Sequence, residues 1–312
     1  MTAPAKHIWA ALLVVYFVWG STYFGIKVAV ETLPPLFAGG SRFLVASALL
    51  AAILAFRGTN MRITRRELLS TAVAGTLLLT LGVGIVHVAE TRIDSSVAAI
   101  IAGTVPLQII VMRTLTREHP ARATQLSALT GLIGLGLVVA PGLGTGSTAL
   151  GLATMIAASV SWSTGSFLSK RLSFPRDPFV TSVYEMAIGG GLLMLGAIAF
   201  GELGDLDSRA FAADSVLAWA YLVVMGSLVG FTAYAWLLKV APISLVVTHQ
   251  YVNPLVAIAL GTLFLGERPS PFTLLGALVI IAAVYVAIRA EFPRSARRAP
   301  VATRGAPADQ GA

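Results

Sequence analysis

Residues 17 to 27 read FVWGSTYFGIK and residues 159 to 170 read SVSWSTGSFLSK. Each stretch sits in a long apolar run, yet each carries a tryptophan, several hydroxyls and a closing lysine. Setting Trp19 on Trp162 brings Phe24 onto Phe167, Lys27 onto Lys170 and, fifteen residues past each lysine, Arg42 onto Glu185. Further along, Ser96 and Pro106 are spaced as Ser244 and Pro254 are. Glu118-His119-Pro120 then parallels Glu267-Arg268-Pro269, and TQLSAL (124–129) parallels TLLGAL (273–278). The chain is two copies of one unit.

The solvent for which these units are built follows from composition. Of 312 residues, 56% are hydrophobic and 12% charged, about half the charge of an ordinary soluble domain. Crossing a hydrocarbon core takes about 20 apolar residues per helix. Ten stretches qualify: 8–30, 35–56, 67–89, 95–114, 124–141, 149–171, 179–201, 215–238, 244–265 and 271–290. The sequence therefore predicts an all-α membrane protein of ten transmembrane helices, with the first unit in 1–141, the second in 149–290 and a disordered basic tail in 291–312, where apolar surface is too scarce to fold. The first run follows Lys6 and His7 but continues to Val30 without a small-residue cleavage site, so it reads as a retained helix rather than a signal peptide.

A net charge of +8 invites a nucleic-acid reading, but the charges are placed for a bilayer. With the loops assigned alternately to two sides, one side gathers Lys6, the arginines at 57, 62, 65 and 66, and those of the tail, whereas the other has only Arg92, Arg209 and Arg268 among many acids. That is the positive-inside pattern, and it predicts cytoplasmic termini in a bacterial inner membrane. There is no cysteine, which excludes disulfides and thiolate chemistry.

Five helices per unit is an odd number, so the second copy must enter the membrane from the opposite face. Inverted repeats of this kind place a ligand near the midplane where the halves meet, and rocking of the halves alternates its access. On its motifs the chain resembles the EamA-type branch of the drug/metabolite transporter superfamily. These are W-G-S-T-x-x-x-x-K from Trp19, L-P-P-x-x-x-x-x-x-R-F at 33–43, the N-P of 253–254 and L-G-E-R-P at 265–269. The resemblance implies ten helices around a central cavity and export of small metabolites, often amino acids. Among such proteins it is similar to the YddG-type exporters of aromatic and other neutral amino acids. The first unit departs from the L-G-E-R pattern, with Thr116-Arg117-Glu118-His119 in its place.

Polar side chains within the helices are the candidate site, because an ionised group at a helix centre costs roughly 2.5–3.5 kcal/mol on insertion scales. Lys27 and Arg42 fall near one end of helices 1 and 2, where they read as a cation pair for a substrate carboxylate, or, for Lys27, as a lysine snorkelling to the interface. Glu185 reads as a structural partner of Lys170, or as a proton-binding group. In helix 9, His249, Gln250 and Asn253 share one face, and Pro254 frees the carbonyl of Gln250 and bends the helix beside them. Helix 4 repeats the device with Pro106 and Gln108, the latter one turn from Thr104. Helix 3 offers Thr80, Gly84 and His87 on one stripe, with Glu90 a turn beyond. Trp19 and Trp162 lie mid-helix, where their indole N–H groups need partners; Ser21, Thr22, Ser163 and Thr164 are near. Tyr184 and Tyr234 complete the candidate lining, and packing between helices is the competing reading for all of these.

The expectation is therefore a carrier for a small molecule in the bilayer. It has no cofactor, metal site or nucleic-acid partner; the sequence leaves oligomeric state open and is compatible with a monomer. Exporters of other solutes or drugs, and a channel-like uniporter, are the alternatives. No H-E-x-x-H, G-x-S-x-G, P-loop or G-x-G-x-x-G motif supports an enzyme.

Overall fold

The computed structural model of the chain describes residues 4–93, 98, 101–140, 148–206, 211–264 and 270–297. Ser96, the 265–269 motif and residues 298–312 lie outside the described residues. The described helices longer than ten residues are α1 (Ala5–Ala29), α2 (Pro35–Phe56), α3 (Arg65–Ala89), α4 (Val105–Leu115), α5 (Arg122–Val139), α6 (Ala149–Leu168), α7 (Pro178–Ala199), α8 (Ala213–Val240), α9 (His249–Phe264) and α10 (Pro271–Arg297), with short turns at Glu202–Asp205 and Ile243–Val246. Among the described residues, α1, α2, α3, α7, α8 and the 271–290 part of α10 are long and apolar enough to cross a membrane. Helix α10 runs on past Ala290 to Arg297, into the stretch the sequence reads as tail.

The starts of the helices follow local chemistry. Pro35 and Pro178 occupy the first helical positions of α2 and α7, where a missing N–H costs nothing. Thr64 and Glu67 form a reciprocal capping box at α3, and the Asp177 carboxylate accepts from Phe179 N at 2.8 Å. Large apolar side chains such as Phe56, Leu115 and Phe200 stand outward and exposed, as a lipid-facing surface requires, while the helix backbones satisfy their own hydrogen bonds.

The most extensive pairings are α5 with α10 and α2 with α7. At α2–α7 the contact is backbone on backbone. A Cβ at Gly40 would sit 2.9 Å from Met194 N, and one at Gly190 would sit 2.9 Å from Gly40 O. Small residues allow this approach, which is how helices gain packing energy where lipid removes the hydrophobic drive. The two helices run antiparallel: Leu36 and Phe37 N–H groups meet the Glu202 carboxylate (3.2 and 2.8 Å), and Ser47 Oγ donates to Val183 O at 2.8 Å. The α5–α10 pair is also antiparallel, with Gly134 against Gly276 and Val138 beside Thr273.

Two helices depart from α geometry midway. Thr76–Gly84 of α3 and Leu222–Phe231 of α8 are wound as π-helix, a rare form concentrated at functional sites. The 3.6-residue pattern of hydropathy gives no sign of it.

Candidate functional site

Four helices bring rings together at the centre of the bundle: Trp19 from α1, Trp162 from α6, Tyr234 from α8 and His249 from α9. Trp19 lies 5.4 Å from Trp162, 4.9 Å from Tyr234 and 5.1 Å from His249, centroid to centroid. Tyr234 lies 5.0 Å from Trp162 and 5.4 Å from His249. Edge and tilted contacts of this kind add about 0.5–1.5 kcal/mol each beyond burial. The Tyr234 hydroxyl is tied to Ser166 Oγ at 2.6 Å.

The tryptophans reach these positions because glycines of the π stretches make room. A Cβ on Gly230 would come within 2.5 Å of Trp19 Nε1, and one on Gly82 within 3.2 Å of Trp162 Cε3. Trp19 Nε1 donates to Gly226 O at 3.2 Å, which corrects the expectation of a nearby hydroxyl partner. The hydroxyls are engaged elsewhere: Thr22 with Trp19 O, Ser21 with Val18 O, Ser163 with Ser159 O and Thr164 with Val160 O within their own helices, and Ser21 with Tyr221 Oη and Ser163 with Gln108 Oε1 across helices. Back-bonding to the preceding turn is the usual outcome for serine and threonine in helices.

On one side of the rings lies a cavity of about 90 Å3. Trp19, Trp162, His249, Gln250, Asn253 and Arg42 all line it. Arg42 is buried; its Nε donates to Ser227 Oγ at 3.3 Å and its guanidinium stands 4.6 Å from the Phe43 ring. Four buried atoms of these lining residues have no hydrogen-bond partner among the described residues: the donors Arg42 Nη1 and Trp162 Nε1, together with His249 Nε2 and Asn253 Oδ1. Unmet polar atoms of this kind call for a partner, and all four belong to residues that line one cavity.

The other candidates are placed elsewhere. Thr80 Oγ1 donates to Gly189 O at 3.1 Å, linking α3 to α7. His87 is buried against Gly39, with Nδ1 2.9 Å from Val83 O. Gln108 joins α4 to α6 through Thr104, Ser159 and Ser163. Tyr184 Oη donates to Met61 O at 2.9 Å, holding the segment between α2 and α3. Pro106 occupies the first turn of α4 and Pro254 lies within α9. Lys27 is exposed and its Nζ donates to Glu90 O at 3.3 Å, so it stands apart from the cavity that Arg42 lines. Phe43, Met155, Phe231 and Gly226 complete much of the wall; Phe231 stands three residues from Tyr234 beyond the small-residue face of Gly226 and Gly230, whereas Phe43 and Met155 are apolar residues among apolar residues and carry no sequence signal.

A second cavity, of about 350 Å3, is lined by Lys170, Glu185 and Lys239, among others. The Glu185–Lys170 pair expected from the sequence is not formed. Lys170 Nζ donates to Ala241 O, the C-cap of α8, where free carbonyls and the helix dipole attract a cation. Among the described residues no cluster of three metal-ligating side chains is present.

The sequence profile of the EamA-like transporter family matches residues 6–140 and again 149–289. The chain belongs to this family. Members are transporters, so the protein is a membrane transporter of the drug/metabolite type and not an enzyme. It is 34% identical over 297 residues to the "Uncharacterized inner membrane transporter YedA" of Escherichia coli K12, covering 94% of this chain and 95% of that one. It is 30% identical to "Protein PecM" of Dickeya dadantii over 86% of this chain and 88% of the relative. With "Protein PagO" of Salmonella typhimurium it shares 24% identity over 94% of each. A solved crystal structure superposes with a TM-score of 0.74 at 19% identity, covering 94% of this chain and 99% of the other; at that identity the likeness concerns the fold.

Proposed function

We propose that this transporter exports small metabolites, amino acids with aromatic and other neutral side chains foremost, across the bacterial inner membrane by alternating access between two inverted five-helix repeats. Both termini are then cytoplasmic. The observation that carries the substrate class is Arg42. It is a buried, permanently charged guanidinium whose Nη1 has no hydrogen-bond partner among the described residues, and it lines a cavity together with a wall of rings and with His249 and Asn253, which also carry unpartnered atoms. A carboxylate at Arg42, an ammonium group near Asn253 Oδ1 and an apolar side chain on Trp19 and Trp162 would satisfy each feature.

The inverted arrangement draws support from contacts that map onto each other. The offset that takes Trp19 to Trp162 takes Gly40 to Val183 and Ser47 to Gly190, so the Gly40–Gly190 contact becomes the Ser47–Val183 contact. Equivalent helices packed antiparallel against each other, α2 with α7 and α5 with α10, are what a twofold axis in the membrane plane requires.

Purified protein in proteoliposomes, assayed for counterflow of labelled L-leucine and L-phenylalanine beside their decarboxylated amines and a sugar, tests the reading. Saturable exchange of the amino acids and not of the amines is expected, with R42Q losing about tenfold or more, since leaving one partner of a buried charge pair alone costs roughly 2–5 kcal/mol. Equal exchange of amines and amino acids, or ohmic conductance in place of saturation, would remove the proposal.

A further inference from the structure

The second cavity contains a group for which the first has no counterpart. Glu185, the residue aligned with Arg42, is 2% exposed and its Oε2 has no hydrogen-bond partner among the described residues. It stands on α7 where that helix meets α3, with a Cβ at Gly75 only 2.7 Å from its own carbonyl oxygen. The charged and titratable groups around it are accounted for. Lys170, beyond the end of α6, donates to Ala241 O. Lys239 of α8 donates to Pro175 O and Arg176 O at 2.8 and 2.5 Å. Tyr234 of α8 is bonded to Ser166. From α2, the contact one turn away is the neutral Ser47, on Val183 O; from α3 it is Gly75. Both lysines are exposed, and among the described residues no ion pair reaches the carboxylate.

A carboxylate held in this way without a cation is unstable as an ion, because burial without pairing costs several kcal/mol. The neutral acid is the form that such a site holds. Yet the same side chain lines a cavity of about 350 Å3 with exposed lysines among its lining, so water entering there reverses the balance. We propose that Glu185 is a proton-binding site of the second cavity, protonated while sealed and deprotonated when the cavity is wetted, and that it thereby couples proton movement to transport. The coupling half of this inference rests on the carrier reading above. The chemical step is a proton transfer alone: an O–H bond forms at the Glu185 carboxylate with a proton from water, and the same proton returns to water. Of the alternatives left open by the sequence, the ion pair with Lys170 is the one the geometry disfavours.

Two measurements on the full chain in lipid need no transported solute. Infrared difference spectra between about pH 6 and about pH 9 should show carboxylic-acid intensity that disappears at high pH and falls in E185Q, the remainder belonging to Glu90, which is buried with neither oxygen partnered among the described residues, and vanishing in the E90Q/E185Q double variant. Dicyclohexylcarbodiimide, which attacks protonated carboxyls in apolar surroundings, should modify Glu185, with labelling that falls roughly tenfold per pH unit above its midpoint, while the exposed Glu118 stays unlabelled. An acid band of the parent's full intensity in E185Q, or labelling that avoids residue 185, would overturn the site. Glutamine is isosteric with the protonated acid, so a folded E185Q keeps these tests readable, and Lys170→Met supplies a second check: a paired carboxylate would gain acid-band intensity in that variant, whereas an unpaired acid would not. In vesicles that exchange L-leucine, an imposed pH gradient should raise uptake and E185Q should lose that rise; an equal rise in both would refute coupling. Absence of any amino-acid flux alongside a normal Glu185 band would instead unseat the carrier reading and leave the protonation site intact.

Discussion

Position 42 and its repeat partner at 185 hold opposite charges, and each lines its own cavity. Arg42 faces about 90 Å3 bounded by tryptophans, a histidine and an asparagine. Glu185 faces about 350 Å3 with Lys170 and Lys239 among its lining. The helix crossings around both are nonetheless alike, down to the Gly40–Gly190 and Ser47–Val183 contacts. The lesson is that duplicated backbone packing tolerates little change, since a Cβ in the wrong place meets main chain, whereas side chains in a cavity meet space and are free to diverge into different chemistry.

The sharpest attack on that contrast is at the crossing itself. Gly190→Leu and Gly40→Leu each drive side-chain atoms into the opposite backbone, beyond the ~1–3 kcal/mol of ordinary overpacking; loss of monodisperse protein in detergent is expected for both. Gly191→Leu, where nothing lies within 4 Å, should melt within about 0.5 kcal/mol of the parent. If the neighbouring glycine is as sensitive as Gly190, the close-packed crossing is not what limits change there.

A smaller effect tests a turn where the two copies differ in residue type. Arg117, at φ 60°, is the one non-glycine residue of positive φ among the described residues, and Gly266 stands at the matching place in the second copy. Left-handed geometry costs roughly 1–2 kcal/mol with a Cβ, offset in part by the looser unfolded chain of glycine. Arg117→Gly should therefore raise stability by roughly 0.5–1 kcal/mol in a thermal melt; a drop would mean the arginine side chain holds the turn. Smaller still is Glu118→Gln, which removes partners of Arg113 and Arg171 at a site 44% exposed. Solvent screening limits the loss to about 0.5 kcal/mol or less, shrinking further in salt.

Much of the fold was legible because bilayer length and apolar composition are crude, additive signals, and because one tryptophan in each half gave the repeat its register. The site was legible where polarity stood out against that background. His249, Gln250 and Asn253, at helical spacing, fall on one wall, and Arg42 and Trp162 join them. It was illegible where contacts between distant helices decide. Nothing near Gln108 or Tyr184 in sequence shows that they tie helices together, and nothing in the alignment tells Lys170 to prefer the end of α8 to Glu185. Phe43 and Met155 are invisible as lining because an apolar side chain reads the same toward lipid, core or cavity.

The π stretches of α3 and α8 carry one residue more per turn than their surroundings. The winding of either stretch therefore fixes the direction in which the side chains downstream of it point about the helix axis. In α3 that downstream segment bears Val86, part of the cavity wall; in α8 it bears Tyr234, part of the ring cluster. The winding of these two stretches thus sets which side chains each half presents to the crevice.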